Sequence, residues 1–401
     1  PDTSNLNKAL CGPQREAFLS AMKKEIEELE VHGTWHMVKR DSIPNNRKVL
    51  PSTWVFKIKR LPDGTLKKHK ARFCVRGDLQ VEGVDYFESY APVVSWTTVR
   101  MMMCLAAQRG WASRQVDFSN AYVQADLEED IYIEMPAYFT DSTDPGKHLV
   151  LKLDKSLYGL VQAPKKWADY LEKGLIRRGF NRSKSDPGLY IGRGMAILVY
   201  VDDCLFFGPK GEDIDEVIQE LKDDGFDLTH EDDAFAFLGV QVTPLEGGTW
   251  LSQRGLIDKV LRTTGMTECN SKETPAGIVP LGTDAAGKAR AHSWHYGSVI
   301  GMLMYLCSNA YPEIQYAVHQ CARFTHCPKA SHEEGVLQIY RYLQGIKATG
   351  GLRIQPNQDL QLDCFVDADF AGLWNQEEVQ DPVCVKSRTG YVITLGGSPI
   401  S

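Results

Sequence analysis

The chain has 401 residues, 43 % of them hydrophobic, with a formal charge of −7; that is material for two or three domains with cores of their own, and too apolar for a disordered chain. No apolar run approaches the roughly 18–20 residues that a membrane span needs, and the first residues lack the charged-then-apolar layout of a secretory leader, so a soluble, unexported chain is expected. The ten cysteines include no C-x-x-C pair, which argues against a zinc ribbon or a disulfide framework and fits reduced thiols in the cytoplasm.

Phe18, Met22, Ile26 and Leu29 recur at the spacing of one helix face, with Gly33 placed to end the helix. Residues 53–59 read as a strand, the turn Pro62-Asp63-Gly64 follows, and residues 71–75 form the return strand of a hairpin. Residues 97–108 have helical spacing, residues 111–116 form a short strand that ends at Asp117, and residues 149–153 form another. A helix over 164–178 opens with a proline in its first turn. Residues 195–201 and 204–207 are nearly continuous apolar runs around Asp202 and Asp203, as expected of hairpin arms covered on both faces. A helix over 214–223, strands over 236–242 and 249–252, mainly helical sequence over 256–344, and a strand pair over 360–366 and 389–395 complete the chain.

A net negative charge sits badly with phosphate binding, but its distribution matters more than its sum. Lys57, Lys59, Arg60, Lys67, Lys68, Lys70, Arg72 and Arg76 crowd the hairpin against the single acid Asp63, whereas residues 212–233 are strongly acidic and would face away from a nucleic acid.

Two adjacent aspartates at a hairpin turn have a plain explanation, because Asp tolerates turn geometry and bonds its own backbone. Here the flanking arms are apolar enough to exclude water, and unpaired buried carboxylates cost several kcal/mol, so positive charge is expected beside Asp202 and Asp203. If the strand carrying Asp117 is their neighbour, three carboxylates converge. Such a group suits two hard divalent cations, Mg²⁺ or Mn²⁺, acting in an in-line displacement at phosphorus.

The strings Tyr200-Val201-Asp202-Asp203 and Asp117-Phe118-Ser119-Asn120-Ala121-Tyr122 resemble the palm motifs of reverse transcriptases. Trp54-Val55-Phe56-Lys57, Lys70-Ala71-Arg72, Leu157-Tyr158-Gly159-Leu160 with Gln162-Ala163-Pro164, and Phe237-Leu238-Gly239 are similar to those of copia-type LTR retrotransposons, from about Phe18 to the chain end. The resemblance implies that Asp117 and Asp202 are the principal metal ligands, with Asp203 a weaker one. It implies that Tyr122 lies under the sugar of the incoming nucleotide and rejects a 2′-hydroxyl. Lys59 or Arg60, with Arg72, would hold the triphosphate; Tyr158 and Gly159 would pack on the nascent base pair; Phe237, Leu238 and Gly239 would support the primer end. Asp367, in Phe365-Val366-Asp367-Ala368-Asp369, would be the first carboxylate of a ribonuclease H-like segment that stops early, so no ribonuclease H activity is expected.

One departure stands out. Where this family places a lysine able to protonate the leaving pyrophosphate, the sequence has Thr229 followed by His230. His230 is the candidate substitute, because imidazole donates a proton near neutral pH; the plain alternative is a surface histidine. His319, Cys321, His326, Cys327 and His332 match no zinc spacing and read as helix and turn residues, and Trp167 reads as core packing.

The expected fold is α+β, a right-hand polymerase. It comprises an N-terminal helix and fingers (1–95), an antiparallel palm with an interleaved fingers segment (96–245), a helical thumb and connection (246–355) and a truncated ribonuclease H-like start (356–401). The expected activity is DNA synthesis from a primer on an RNA or DNA template, using deoxynucleoside triphosphates, in the cytoplasm or inside a virus-like particle. The alternatives are a non-catalytic nucleic-acid-binding remnant of a mobile element and a two-metal nuclease; the latter gives no reason for Tyr122 or the basic hairpin.

Overall fold

The helix Arg15–Val31 buries Phe18, Met22, Ile26 and Leu29 along one stripe, as the spacing predicts, and Gly33 follows in a left-handed conformation. That stripe lies on the hairpin Ser52–Arg60/Leu66–Val75, whose alternation decides what each face does. Trp54, Phe56, Ala71, Phe73 and Val75 are buried toward the helix, with Phe18 edge-on to Phe56 at 5.1 Å between ring centroids. Lys57, Lys59, Lys68, Lys70 and Arg72 take the alternate positions on the other face. The computed structural model describes the chain except residues 1, 2, 5, 61–65, 138–147, 233–235 and 371–385, and the side chains of residues 3, 4, 60 and 67. The expected turn at Pro62-Asp63-Gly64 therefore lies outside the described residues.

The fold is mixed α+β and divides into two units, Pro1–Val94 with Val116–Phe206 and Glu212–Glu231, and Ser95–Gln115 with Phe207–Gly211 and Asp232–Ser401. The sheet that matters most to the first unit runs in the order Leu228–Glu231, Ala112–Phe118, Asp203–Gly208, Met195–Tyr200, Leu189–Gly192, Asn181–Arg182. The strand expected to stop at Asp117 continues through it to Phe118, because Val116 and Phe118 both point into the core. The helix Ala163–Arg177 has Pro164 in its first turn and buries Trp167, Leu171 and Leu175.

In the second unit, the single strand expected over 236–242 is two strands, Ala236–Phe237 and Val240–Leu245. Leu238 and Gly239 form the two-residue turn between them, with φ of 51° and 75°. Two positive φ values are what a tight hairpin requires, and the Tyr305 hydroxyl donates to the Leu238 carbonyl at 2.5 Å, which holds an unusual conformation for leucine. The helical stretch resolves into Arg254–Thr264, Tyr296–Asn309, Gln315–Ala322 and Ala330–Ile346. His332 is fully buried, stacked 3.9 Å from Phe324, and accepts from the Lys329 N–H while its other ring nitrogen donates to the Gly282 carbonyl, so it is a packing residue. The hairpin Leu362–Ala368/Thr389–Leu395 pairs in register over seven positions, with Phe365, Val366, Tyr391 and Val392 exposed. No described helix is long and apolar enough to cross a membrane, and the nine described cysteines are unpaired.

Candidate active site

Asp202 sits in a two-residue turn, Val201–Asp202, between adjacent strands. Val201 has φ of 59°, a left-handed conformation that a β-branched residue adopts only at a cost of about 1–3 kcal/mol. Trp167 offsets that strain: its indole N–H donates to the Val201 carbonyl at 2.8 Å while its ring meets Phe118 edge-on at 5.1 Å. The Phe118 N–H in turn donates to the Asp202 carbonyl at 3.0 Å, which sets Asp117 beside the Val201–Asp202 turn. One buried tryptophan thus touches the neighbours of two acids that are 85 residues apart in the chain.

Trp167→Phe is expected to keep the packing but leave the Val201 carbonyl unpaired. The expected loss in chemical denaturation is about 1–2 kcal/mol. Unchanged stability would show that the indole bond does not hold the turn.

After Asp117 the chain turns sharply. Ser119 donates its N–H to the Asp227 carbonyl at 3.0 Å, Asn120 takes φ of 48°, and the buried Gln124 amide bonds Ser119 and both backbone groups of Asp227. The small polar residues after Asp117 serve this turn, since Asn tolerates left-handed geometry better than other non-glycine residues.

The electrostatics are those of crowded acids. Asp203 is pushed up to about 6, by burial first and then by the charges of Asp202 and Asp117. Asp117 is likewise held above the carboxylate range by desolvation and by Asp202, with Lys59, Lys70 and Arg72 pulling the other way. Positive charge placed among these acids is favoured, and carboxylate oxygen is the donor that hard divalent cations take. Among the described residues, however, no group of three His, Cys, Asp or Glu side chains is close enough to hold one ion.

The cationic face of the hairpin supplies the complementary half. Lys57 lies directly across from Lys70, and Lys59 across from Lys68. Such like-charged cross-strand pairs are destabilising unless an anion relieves them. Lys59 and Lys70 are both held below the lysine range, by desolvation first and then by the neighbouring cations. The Arg72 guanidinium lies 4.0 Å over the Tyr158 ring, and its buried Nε–H has no hydrogen-bond partner among the described residues. Tyr158 in turn packs 5.0 Å from Tyr122. Desolvation and the charge of Asp202 raise the Tyr122 hydroxyl above the tyrosine range.

The structure thus brings together Asp117, Asp202, Asp203, Lys59, Arg72, Tyr122 and Tyr158. Arg60 ends its strand, and its side chain is outside the described residues. Gly159 is a joint rather than a surface: with φ of 94°, an added Cβ would lie 2.1 Å from the Val75 carbonyl oxygen, beside the bond from the Val75 N–H to the Tyr158 carbonyl. His230 is exposed on the strand Leu228–Glu231. Phe237, Leu238 and Gly239 belong to the second unit, where Phe237 is fully buried 6.2 Å from Trp96. Sequence reasoning left out Lys68 and Lys70 as site residues, although they fall on every second position with Arg72. It also left out Glu25, an acid inside an apolar stripe.

Comparison with known proteins identifies the family. Residues 32–278 match the family described as reverse transcriptase (RNA-dependent DNA polymerase). The whole chain is 34 % identical to part of the retrovirus-related Pol polyprotein from transposon TNT 1-94 of Nicotiana tabacum, of which it spans 30 %. Over 96 % of its length it is 33 % identical to the corresponding polyprotein from transposon RE1 of Arabidopsis thaliana, of which it spans 26 %. A putative transposon Ty5-1 protein of Saccharomyces cerevisiae is 27 % identical over 71 % of the chain and 91 % of its own length.

Proposed function

From the premise that this chain belongs to the reverse transcriptase family of copia-type retrotransposons, we propose that it extends a primer on an RNA or DNA template with deoxynucleoside triphosphates. The observation that carries this reading is the bond from the Phe118 N–H to the Asp202 carbonyl. It makes neighbours of two carboxylate-bearing segments, and of the basic hairpin Lys59 and Arg72 act electrostatically on Asp117, and Lys59 also on Asp203.

Asp117 and Asp202, with Asp203 beside them, would hold the Mg²⁺ or Mn²⁺ ions, which when bound lower the pKa of the primer hydroxyl and stabilise the departing pyrophosphate. Arg72 and Lys59 bind the triphosphate oxygens, Arg72 through a fork already oriented by Tyr158. Tyr122, propped by Tyr158, closes the space below the sugar. In this reading the hairpin is the fingers, the first unit's main sheet the palm and the helices of the second unit the thumb and connection. Phe237, Leu238 and Gly239 support the primer end and Asp367 begins a ribonuclease H-like segment, while His230, exposed on its strand, is a candidate proton donor to the pyrophosphate against the plain reading of a surface histidine.

Primer extension on an RNA template tests the reading directly, with metal- and triphosphate-dependent extension expected. Salt-sensitive duplex binding with no extension in either metal would select a non-catalytic nucleic-acid-binding remnant. Nucleotide release without added triphosphates would select a nuclease. Tyr122→Ala is expected to admit ribonucleotides, lowering sugar discrimination roughly 10- to 100-fold, because one removed side chain is worth about 1–3 kcal/mol of selectivity. Unchanged discrimination would remove Tyr122 from that role.

A further inference from the structure

Glu25 lies in the middle of the apolar stripe of the helix Arg15–Val31, 7 % exposed, between Met22 and Leu29. Its position is set by an unfinished sheet edge. The strand Leu66–Val75 ends its sheet, so its outward N–H groups need partners from elsewhere. The Val75 N–H finds the Tyr158 carbonyl at 2.8 Å; the Phe73 N–H, the next in line, finds Glu25 Oε1 at 3.3 Å. A carboxylate thus stands where a strand carbonyl would serve, one residue from Arg72.

We propose that Glu25 is a positioning residue for nucleotide binding: its carboxylate pins the strand that bears Lys70 and Arg72, and its charge state sets how strongly that cationic face attracts the nucleotide's phosphates. The inference rests on the polymerase reading given above. The charges that act on Glu25 are those of Lys70 and Arg72, reached past the strand edge, and of Glu28 on its own helix; Glu25 acts in turn on Cys74 and Tyr158. Burial, partly opposed by the Phe73 N–H, Lys70 and Arg72, pushes the Glu25 carboxyl up to about 7. At pH 6 the acid is mainly protonated and leaves the cations uncompensated; by pH 8 it is ionised and subtracts one charge from their field. Phosphate binding and proton uptake are therefore linked, each favouring the other.

The test compares the wild-type chain with Glu25→Gln, which keeps an acceptor for the Phe73 N–H but carries no charge. KM for a deoxynucleoside triphosphate and kcat are measured by steady-state primer extension from pH 6 to pH 8. The two proteins should agree at pH 6. By pH 8 the wild-type KM should be roughly 3- to 10-fold above that of the variant, with kcat little different, as expected for one partly screened charge. Titration of the substrate and of the other site residues is common to both proteins and cancels in their ratio. A ratio of KM values that stays constant with pH would overturn the inference and leave the polymerase reading standing. So would a difference already present at pH 6, which marks a purely structural role. A wild-type chain that extends no primer would instead overturn the polymerase reading and the inference with it.

Discussion

Asp202→Asn and Asp117→Asn should each lower primer extension by about a thousandfold or more while leaving the protein folded. Asparagine matches aspartate in size and in hydrogen-bonding reach, so the Val201–Asp202 turn and the strand through Asp117 keep their shape. What would disappear is the negative charge proposed to gather divalent cations, and with it several kcal/mol of transition-state stabilisation, about 4 kcal/mol corresponding to a thousandfold. Stability should move the other way. Asp202 is a cause of the raised proton affinity of both Asp117 and Asp203, which means that its charge opposes theirs in the folded state. Asp203 shows the sign: its folded-state value, about 6, lies above the ordinary 3.8, so its contribution to stability is full below that ordinary value and is lost as pH rises toward 6. Neutralising Asp202 relieves part of this repulsion, and the thermal midpoint at pH 7 should hold or rise. Single-turnover extension together with thermal denaturation decides the matter. Extension within tenfold of wild type would refute the metal assignment, and lost activity together with a lost fold would make Asp202 a residue of the fold.

Arg72→Ala should reduce kcat/KM for the nucleotide by roughly a hundredfold, mostly through KM. The guanidinium is already stacked on Tyr158, and its buried Nε–H is unpaired among the described residues, so little side-chain freedom remains to be lost when phosphate arrives. Two charge-assisted bonds to a phosphate contribute about 3 kcal/mol, which is that hundredfold. Arg72→Lys should restore only a small part, because an ammonium is a point donor and cannot stack and fork at once. Full rescue by lysine would show that Arg72 supplies charge alone, and an unchanged KM in Arg72→Ala would place the triphosphate elsewhere.

Much of this site is legible in local pattern. The alternation through Trp54-Val55-Phe56-Lys57 and Ala71-Arg72-Phe73 already separates an apolar face from a cationic one, because side chains on a strand change sides at every residue. The apolar arms around Asp202 and Asp203 likewise announce a buried hairpin. Other features fail locally for identifiable reasons. Residues 236–242 read as one strand because Leu238 is apolar, yet the chain places it in a left-handed turn under the Tyr305 hydroxyl, 67 residues away. Glu25 hides among the buried residues Phe18, Met22, Ile26 and Leu29 of its helix, and only the open edge of a strand folded against it gives a carboxylate a reason to be there.

By itself, then, the sequence determined the α+β character, the hairpin with its two faces, the turn that carries Asp202 and the family to which the chain belongs, since each follows from residue identities at short, regular spacing. Tertiary structure alone decided that the strand through Asp117 lies beside that turn, that Trp167 secures both through Val201 and Phe118, and that Glu25 closes the strand edge behind Arg72. Those facts depend on hydrogen bonds between segments far apart in the chain, and no local periodicity encodes which open backbone group a distant side chain will satisfy.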